Sequence, residues 1–259
     1  MISVSIEGPL ATIALDAPAT RNALGLVGWQ ALADAVEQVA ASSARALILR
    51  SAAPGMFCSG SNLREIAALA DHADLRAPFR RAMRDAMEPL AALPIATIAL
   101  VEGDCFGAGV ALALACDMRI ASPRAAFAVT PAKLGITYPQ EDVARLVALI
   151  GRGQAARMLY GAGRIDADEA ARIGLVEVLA DDAVAVAQGL AGQVAANAPG
   201  SVASLKAMVL RDSPSPQFDA AFDQAFAGAD FCEGLAAFRE RRTPAFEDVA
   251  PIDANHTRS

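Results

Sequence analysis

Two segments rich in small residues carry the chemistry this sequence can offer: Phe57-Cys58-Ser59-Gly60-Ser61-Asn62-Leu63 and Glu102-Gly103-Asp104-Cys105-Phe106-Gly107-Ala108-Gly109. Each follows a strand-like apolar run and leads into a helix-like stretch. Small residues at a strand-to-helix turn let a ligand approach the backbone and leave N–H groups exposed. The second segment runs directly into an apolar helix, whose N-terminal partial positive charge favours an oxygen that is gaining negative charge. Two such loops facing one another would form an oxyanion hole. Either alone is only a tight turn, and neither has the glycine spacing of a dinucleotide or P-loop site.

Other chemistries are poorly served. The only histidines are His72 and His256, the latter in a polar tail, so a Ser-His-Asp or Cys-His set is not expected. Cys58, Cys105, Cys116 and Cys232 form no Cys-x-x-Cys pair and have no histidine nearby; they read as reduced core residues, and no metal is expected. The formal net charge of −7 argues against nucleic acid, which needs clustered positive charge. A few local arginines would still suit a small anion. The longest apolar runs, Leu93 to Val101 and Cys105 to Cys116, fall short of the roughly 20 residues of a membrane span. The N-terminus lacks the basic flank and apolar stretch of a secretory signal, which makes the cytoplasm the expected location.

The elements that must position the two loops follow from apolar periodicity. Val4 to Glu7 and Ala11 to Leu15 read as a hairpin around Gly8-Pro9. Helices are expected from Trp29 to Ala40, Leu63 to Ala70, Leu75 to Leu90, Gly109 to Cys116 and Val143 to Ile150; strands are expected at Ala46 to Arg50, Ile95 to Val101 and Met118 to Ala121. This alternation implies an α/β fold with parallel strands and outer helices. Strand signals stop near Ala180. From there Ala183 to Gln193, Ser201 to Arg211, Phe218 to Ala227 and Phe231 to Arg241 read as four helices, before a frayed tail from Pro251 to Ser259. With 54% hydrophobic and 20% charged residues, the 259-residue chain can fill one main core and a smaller appendage, divided as residues 1–195 and 196–259.

Five segments in order, Arg21-Asn22-Ala23-Leu24, Phe57 to Leu63, Gly103 to Asp117, Arg164-Ile165-Asp166-Ala167 through Val176, and Glu233 to Arg242, resemble the enoyl-CoA hydratase/isomerase (crotonase) superfamily along nearly the whole chain. The resemblance implies a spiral of repeated ββα turns, a C-terminal helical region that assembles trimers or hexamers, and an acyl-CoA substrate. CoA is then part of the substrate and no separate cofactor is implied. By position, the oxyanion donors would be the N–H groups of Ser61 and Ala108. Ser59, Gly60, Asn62, Leu63, Gly107 and Ala23 would lie against the thioester. Arg21 and Arg241 would meet CoA phosphates or the adenine end, and Phe222 and Phe226 would line an adenine pocket, from a neighbouring subunit if the sites are shared.

The chain also departs from that family. The two glutamate positions of orthodox hydration fall on Ala111 and Ala132, and alanine cannot move a proton, which disfavours standard hydration. Thr130-Pro131-x-x-Leu134-Gly135-x-x-Tyr138 looks like the methylmalonyl-CoA-type decarboxylases of the superfamily, with Ala132 inside the pattern; Tyr138 would orient the departing carboxylate, although those decarboxylases carry histidine where this chain has Ser61. Glu141 and Asp142 suit proton shuttling in double-bond isomerisation, or simply an acidic first helical turn. Lys133 reads as a surface charge. A third possibility is a thioester-binding protein without catalysis.

Overall fold

The apolar period switches between two and about 3.6 along most of the chain, and strands and helices alternate accordingly. The computed structural model describes residues 1–211 and 213–247. The expected tail from Pro251 to Ser259, with His256, lies outside the described residues.

A hairpin of β1 (Ile2–Glu7) and β2 (Leu10–Leu15) leads to α1 (Leu26–Ala40). Then β3 (Ala46–Ser51) is followed at once by β4 (Gly55–Cys58), α2 (Leu63–Asp71) and α3 (Ala73–Ala92). The pattern repeats with β5 (Ala96–Val101), β6 (Gly103–Phe106) and α4 (Ala108–Leu114), and again with β7 (Met118–Ala121), β8 (Ala126–Ala128), a 3-10 turn at Pro131–Leu134 and α5 (Gln140–Gly161). The remaining elements are β9 (Ile165–Asp166), α6 (Ala167–Arg172), β10 (Val178–Leu179), α7 (Ala183–Ala195), α8 (Pro199–Val209), α9 (Pro216–Ala225) and α10 (Ala229–Glu240).

The strands form two sheets. One has the order β1-β2-β3-β5-β7-β10 and the other β4-β6-β8-β9. The pairs β3–β4, β5–β6 and β7–β8 therefore each contribute one strand to each sheet, while β1 and β2 both join the larger one. The pairs β2–β3, β3–β5, β5–β7 and β7–β10 are parallel, as are β4–β6 and β6–β8, while β1–β2 and β8–β9 are antiparallel. The periodicity reading places Glu102 to Gly109 in a turn; Gly103–Phe106 is instead strand β6, and only Gly107 makes the turn.

Alternation along the large sheet separates two cores. In β3, Leu47 and Leu49 face the main core with Trp29, Leu32 and Val36 of α1, whereas Ala46 and Ile48 face α7. Helix α7 presents Ala183, Ala187, Ala191 and Ala195 at four-residue spacing, all buried, and so lies close against the sheet. The C-terminal helices are held to this body by Lys206, whose Nζ donates to the Asp117 carboxylate at 2.8 Å and to the Ile95 carbonyl at 2.9 Å. Among the described residues no helix is long and apolar enough to cross a membrane. Cys58, Cys105 and Cys116 are buried, and burial pushes the Cys58 and Cys116 thiols up to about 12, leaving them unreactive. Cys232 is exposed and corrects the expectation of four core cysteines.

Candidate active site

The first loop is fixed before it meets the second. Asn22 adopts φ 55°, a left-handed conformation that asparagine tolerates better than most residues. Its buried side chain accepts from the Ala17 N–H at 2.8 Å and donates to Ser51 Oγ at 2.8 Å and to the Phe57 carbonyl at 2.9 Å. The backbone then laces residues 21–24 to 59–62: Ser59 N–H donates to the Arg21 carbonyl at 3.0 Å, Leu24 N–H to Gly60 at 2.9 Å and Asn62 N–H to Leu24 at 2.9 Å. Gly60 N–H reaches Cys58 Sγ at 3.4 Å. The amides flanking Ser61 are thus committed, while the Ser61 N–H has no protein acceptor among the described residues. Asn62 caps α2, its Oδ1 accepting from Arg64 N–H at 3.0 Å.

The second loop turns at Gly107, with φ 52° and ψ −124°, a conformation closed to residues with a side chain. Its N–H donates to the Ala128 carbonyl at 2.8 Å, and its carbonyl accepts from Val110 N–H at 2.9 Å and from the Tyr138 hydroxyl at 2.9 Å. Ala108 opens α4, and its N–H has no acceptor among the described residues, as expected of a first helical amide. At seven residues α4 is short, so a local peptide dipole matters more here than the long-helix effect expected from sequence.

The loops meet backbone to backbone. A methyl group on Gly60, at φ 98°, would lie 2.8 Å from the Phe106 carbonyl oxygen and 3.0 Å from Ala108 N. Glycine is therefore required for the contact. Ser61 and Ala108 both line one cavity of about 800 Å³, within the range of small-ligand sites. Its walls come from α2, from Arg76, Phe79, Arg80 and Met83 of α3, and from the segment between Thr130 and Pro139. None of the described lining residues is acidic. Arg76 is committed to the Leu69 and Ala70 carbonyls at 2.7 and 2.9 Å, while Arg80 has no hydrogen-bond or ion-pair partner among the described residues.

A small recess of about 10 Å³ adjoins this cavity, sharing Arg80, Met83 and Pro139 and reaching Glu141 and Asp142. The two acids differ because neighbours in sequence point about 100° apart on a helix. Glu141 pairs with Arg84 at the surface, and its carboxyl is held below the ordinary range by its own helix-terminal N–H and then by Arg84. Asp142 is 1% exposed; Arg145 holds its Oδ1 at 3.2 Å, and Oδ2 has no partner. Burial pushes Asp142 up to about 6, with Arg145 opposing and Glu88 and Glu141 adding.

Of the sequence-predicted residues, Ser59, Ser61, Leu63, Gly107, Ala108 and Tyr138 line the cavity. Gly60 and Asn62 shape it from behind. Ala23 and Ala132 are not among its lining residues; Pro131 and Leu134 take the place expected of Ala132, and Ala111 is buried in the core. Arg21 is exposed and shares Asp104 with Arg164, at 2.7 and 3.2 Å. Phe222 and Phe226 line a different cavity of about 960 Å³ among the C-terminal helices, and Arg241 forms the exposed left-handed end of α10. Arg76 and Arg80 were not singled out by sequence, since arginines on an amphipathic helix read as solvated charges.

Two strand-to-helix loops with free amides at the edge of one cavity, carried on two sheets of alternating ββα turns, define an α/β class of fold. Residues 5–249 match the Enoyl-CoA hydratase/isomerase family, and the chain belongs to it. It is 31% identical over 252 residues to the Mycobacterium tuberculosis protein named "Probable enoyl-CoA hydratase echA6", covering 95% of this chain and 99% of that one. It is 30% identical over 240 residues to the Mus musculus methylglutaconyl-CoA hydratase, covering 88% and 76%. Among solved structures, an enoyl-CoA hydratase/carnithine racemase of Magnetospirillum magneticum superposes with a TM-score of 0.90 at 32% identity, covering 96% of both chains.

Proposed function

We propose that the protein binds an acyl-CoA thioester, stabilises its enolate between the Ser61 and Ala108 amides, and transfers a proton through Asp142 in a double-bond isomerisation. The supporting observation is the backbone contact at Gly60, which brings together two loops whose free amides belong to one cavity. A donor of this kind is worth about 3 to 4 kcal/mol of transition-state stabilisation. Asp142 suits the base role because a pKa near 6 leaves it largely ionised at neutral pH yet able to hold a proton, and its Oδ2 is uncommitted. Orthodox hydration is disfavoured by Ala111 and Ala132, which stand where its two glutamates are expected. Arg21, with Arg164 beside it on Asp104, would meet a CoA phosphate.

A second reading, decarboxylation of a malonyl-type thioester, is favoured by the acid-free cavity lining and by uncommitted Arg80, which would meet the carboxylate. The two readings separate on a panel of enoyl-CoA and malonyl-type CoA thioesters followed by mass spectrometry. Isomerised enoyl-CoA that disappears in Asp142→Asn supports the first. Loss of carbon dioxide that survives Asp142→Asn but not Arg80→Ala supports the second. Tight binding of both classes with no turnover would leave a non-catalytic thioester-binding protein.

We also propose that the C-terminal helices assemble the chain into trimers, acting in the cytoplasm. In the described chain Val209 and Phe238 are 82% exposed and Phe222 63% exposed, a large apolar surface for a lone subunit. Sedimentation velocity is expected to give a multiple of three 26.6 kDa chains, reduced by Phe238→Glu; a monomeric wild type would contradict it.

A further inference from the structure

We infer that Tyr138 is a positioning residue that locks and polarises the peptide between Gly107 and Ala108, so that its hydroxyl acts through the Ala108 N–H rather than on the substrate. The inference rests on the oxyanion reading of that amide. The Gly107 carbonyl and the Ala108 N–H are two ends of one planar peptide group. The Tyr138 hydroxyl donates to the carbonyl end at 2.9 Å, and Val110 N–H donates to the same oxygen at 2.9 Å. Rotating the peptide to turn its N–H away from the cavity would break both bonds. Hydrogen bonds in series also polarise one another, so a donor on the carbonyl makes the N–H at the other end a stronger donor. The phenol is suited to this. Burial raises its pKa well above the ordinary value, with the charge of Asp142 adding, so the hydroxyl keeps its proton across the working pH range. The hydroxyl donates to the Gly107 carbonyl while its oxygen faces the Ala111 backbone N–H, and the decarboxylase-like role expected from sequence would require the Gly107 bond to be given up.

The test reads the thioester carbonyl directly. With butyryl-CoA bound to the full-length protein, difference infrared spectroscopy is expected to show the C=O stretch at lower frequency than in water. In Tyr138→Phe the stretch should move back toward the solution value, and in Tyr138→3-fluorotyrosine, a stronger donor that remains protonated here, it should move further down. On the thioester turned over in the panel, Tyr138→Phe should lower kcat about 10-fold with KM changed less than about twofold, the scale of one hydrogen bond. A wild-type shift that Tyr138→Phe leaves untouched overturns the inference alone, as does a loss confined to KM for carboxylated thioesters, which would mean that the hydroxyl touches substrate. A wild-type protein that leaves the carbonyl at its solution frequency overturns the oxyanion reading and the inference with it.

Discussion

Asp142 shows how much one residue's setting decides. In sequence it is the second member of an acidic pair at a helix start, indistinguishable in kind from Glu141. Folding sends Glu141 to the surface against Arg84 and buries Asp142 with one oxygen unpartnered. The consequence for stability has a definite sign. The folded-state pKa of about 6 lies above the ordinary 3.8, so the folded protein holds this proton more tightly than the unfolded chain does. The contribution of Asp142 is therefore most favourable below about pH 4 and is lost as pH rises through about 6, a change of about 2 to 3 kcal/mol. Urea denaturation of wild type and Asp142→Asn from pH 4 to 7.5 should show the difference between them shifting in favour of the variant across that window and flat above it. A pH-independent difference would remove the argument for a raised Asp142 pKa. Asn22, another residue of this kind, was part of a recognised segment but received no role; its left-handed φ and three side-chain bonds are legible only once the loop is folded.

The elements were legible in proportion to their length. Long periodic stretches announce themselves, and α1, α3, β3, β5 and α7 fall close to their expected limits. The small sheet was not readable from periodicity. Its strands β4, β6, β8 and β9 span four, four, three and two residues, too few for an alternating pattern, and β4 and β6 lie inside segments whose glycines read as turns. Only the resemblance to a ββα spiral implied them. Helix α5 was read to Ile150 because the glycines that follow look like a stop; it continues to Gly161 across a break at Gly151, where φ is 74°. The two loops at the cavity were visible as small-residue segments, but their mutual contact depends on the parallel pairing of β4 with β6, which sequence spacing does not encode.

For the molecule as a whole, the family, the α/β class and the place of the two amides were legible because ordered segments along the chain carry them. The cavity walls were legible only in part: Leu63 and Tyr138 line the cavity as expected, but which side chains of α2 and α3 complete it depends on tertiary packing rather than on any motif. Every functional role assigned above returns to the Ser61 and Ala108 N–H groups meeting one oxygen. The most direct measurement is a crystal structure of the protein with an unreactive acyl-CoA thioester bound. The thioester oxygen should lie about 2.7 to 3.1 Å from both nitrogens, the distance at which such donors stabilise developing charge. A thioester bound with its oxygen against any other group, or with only one of the two amides within reach, would contradict the account.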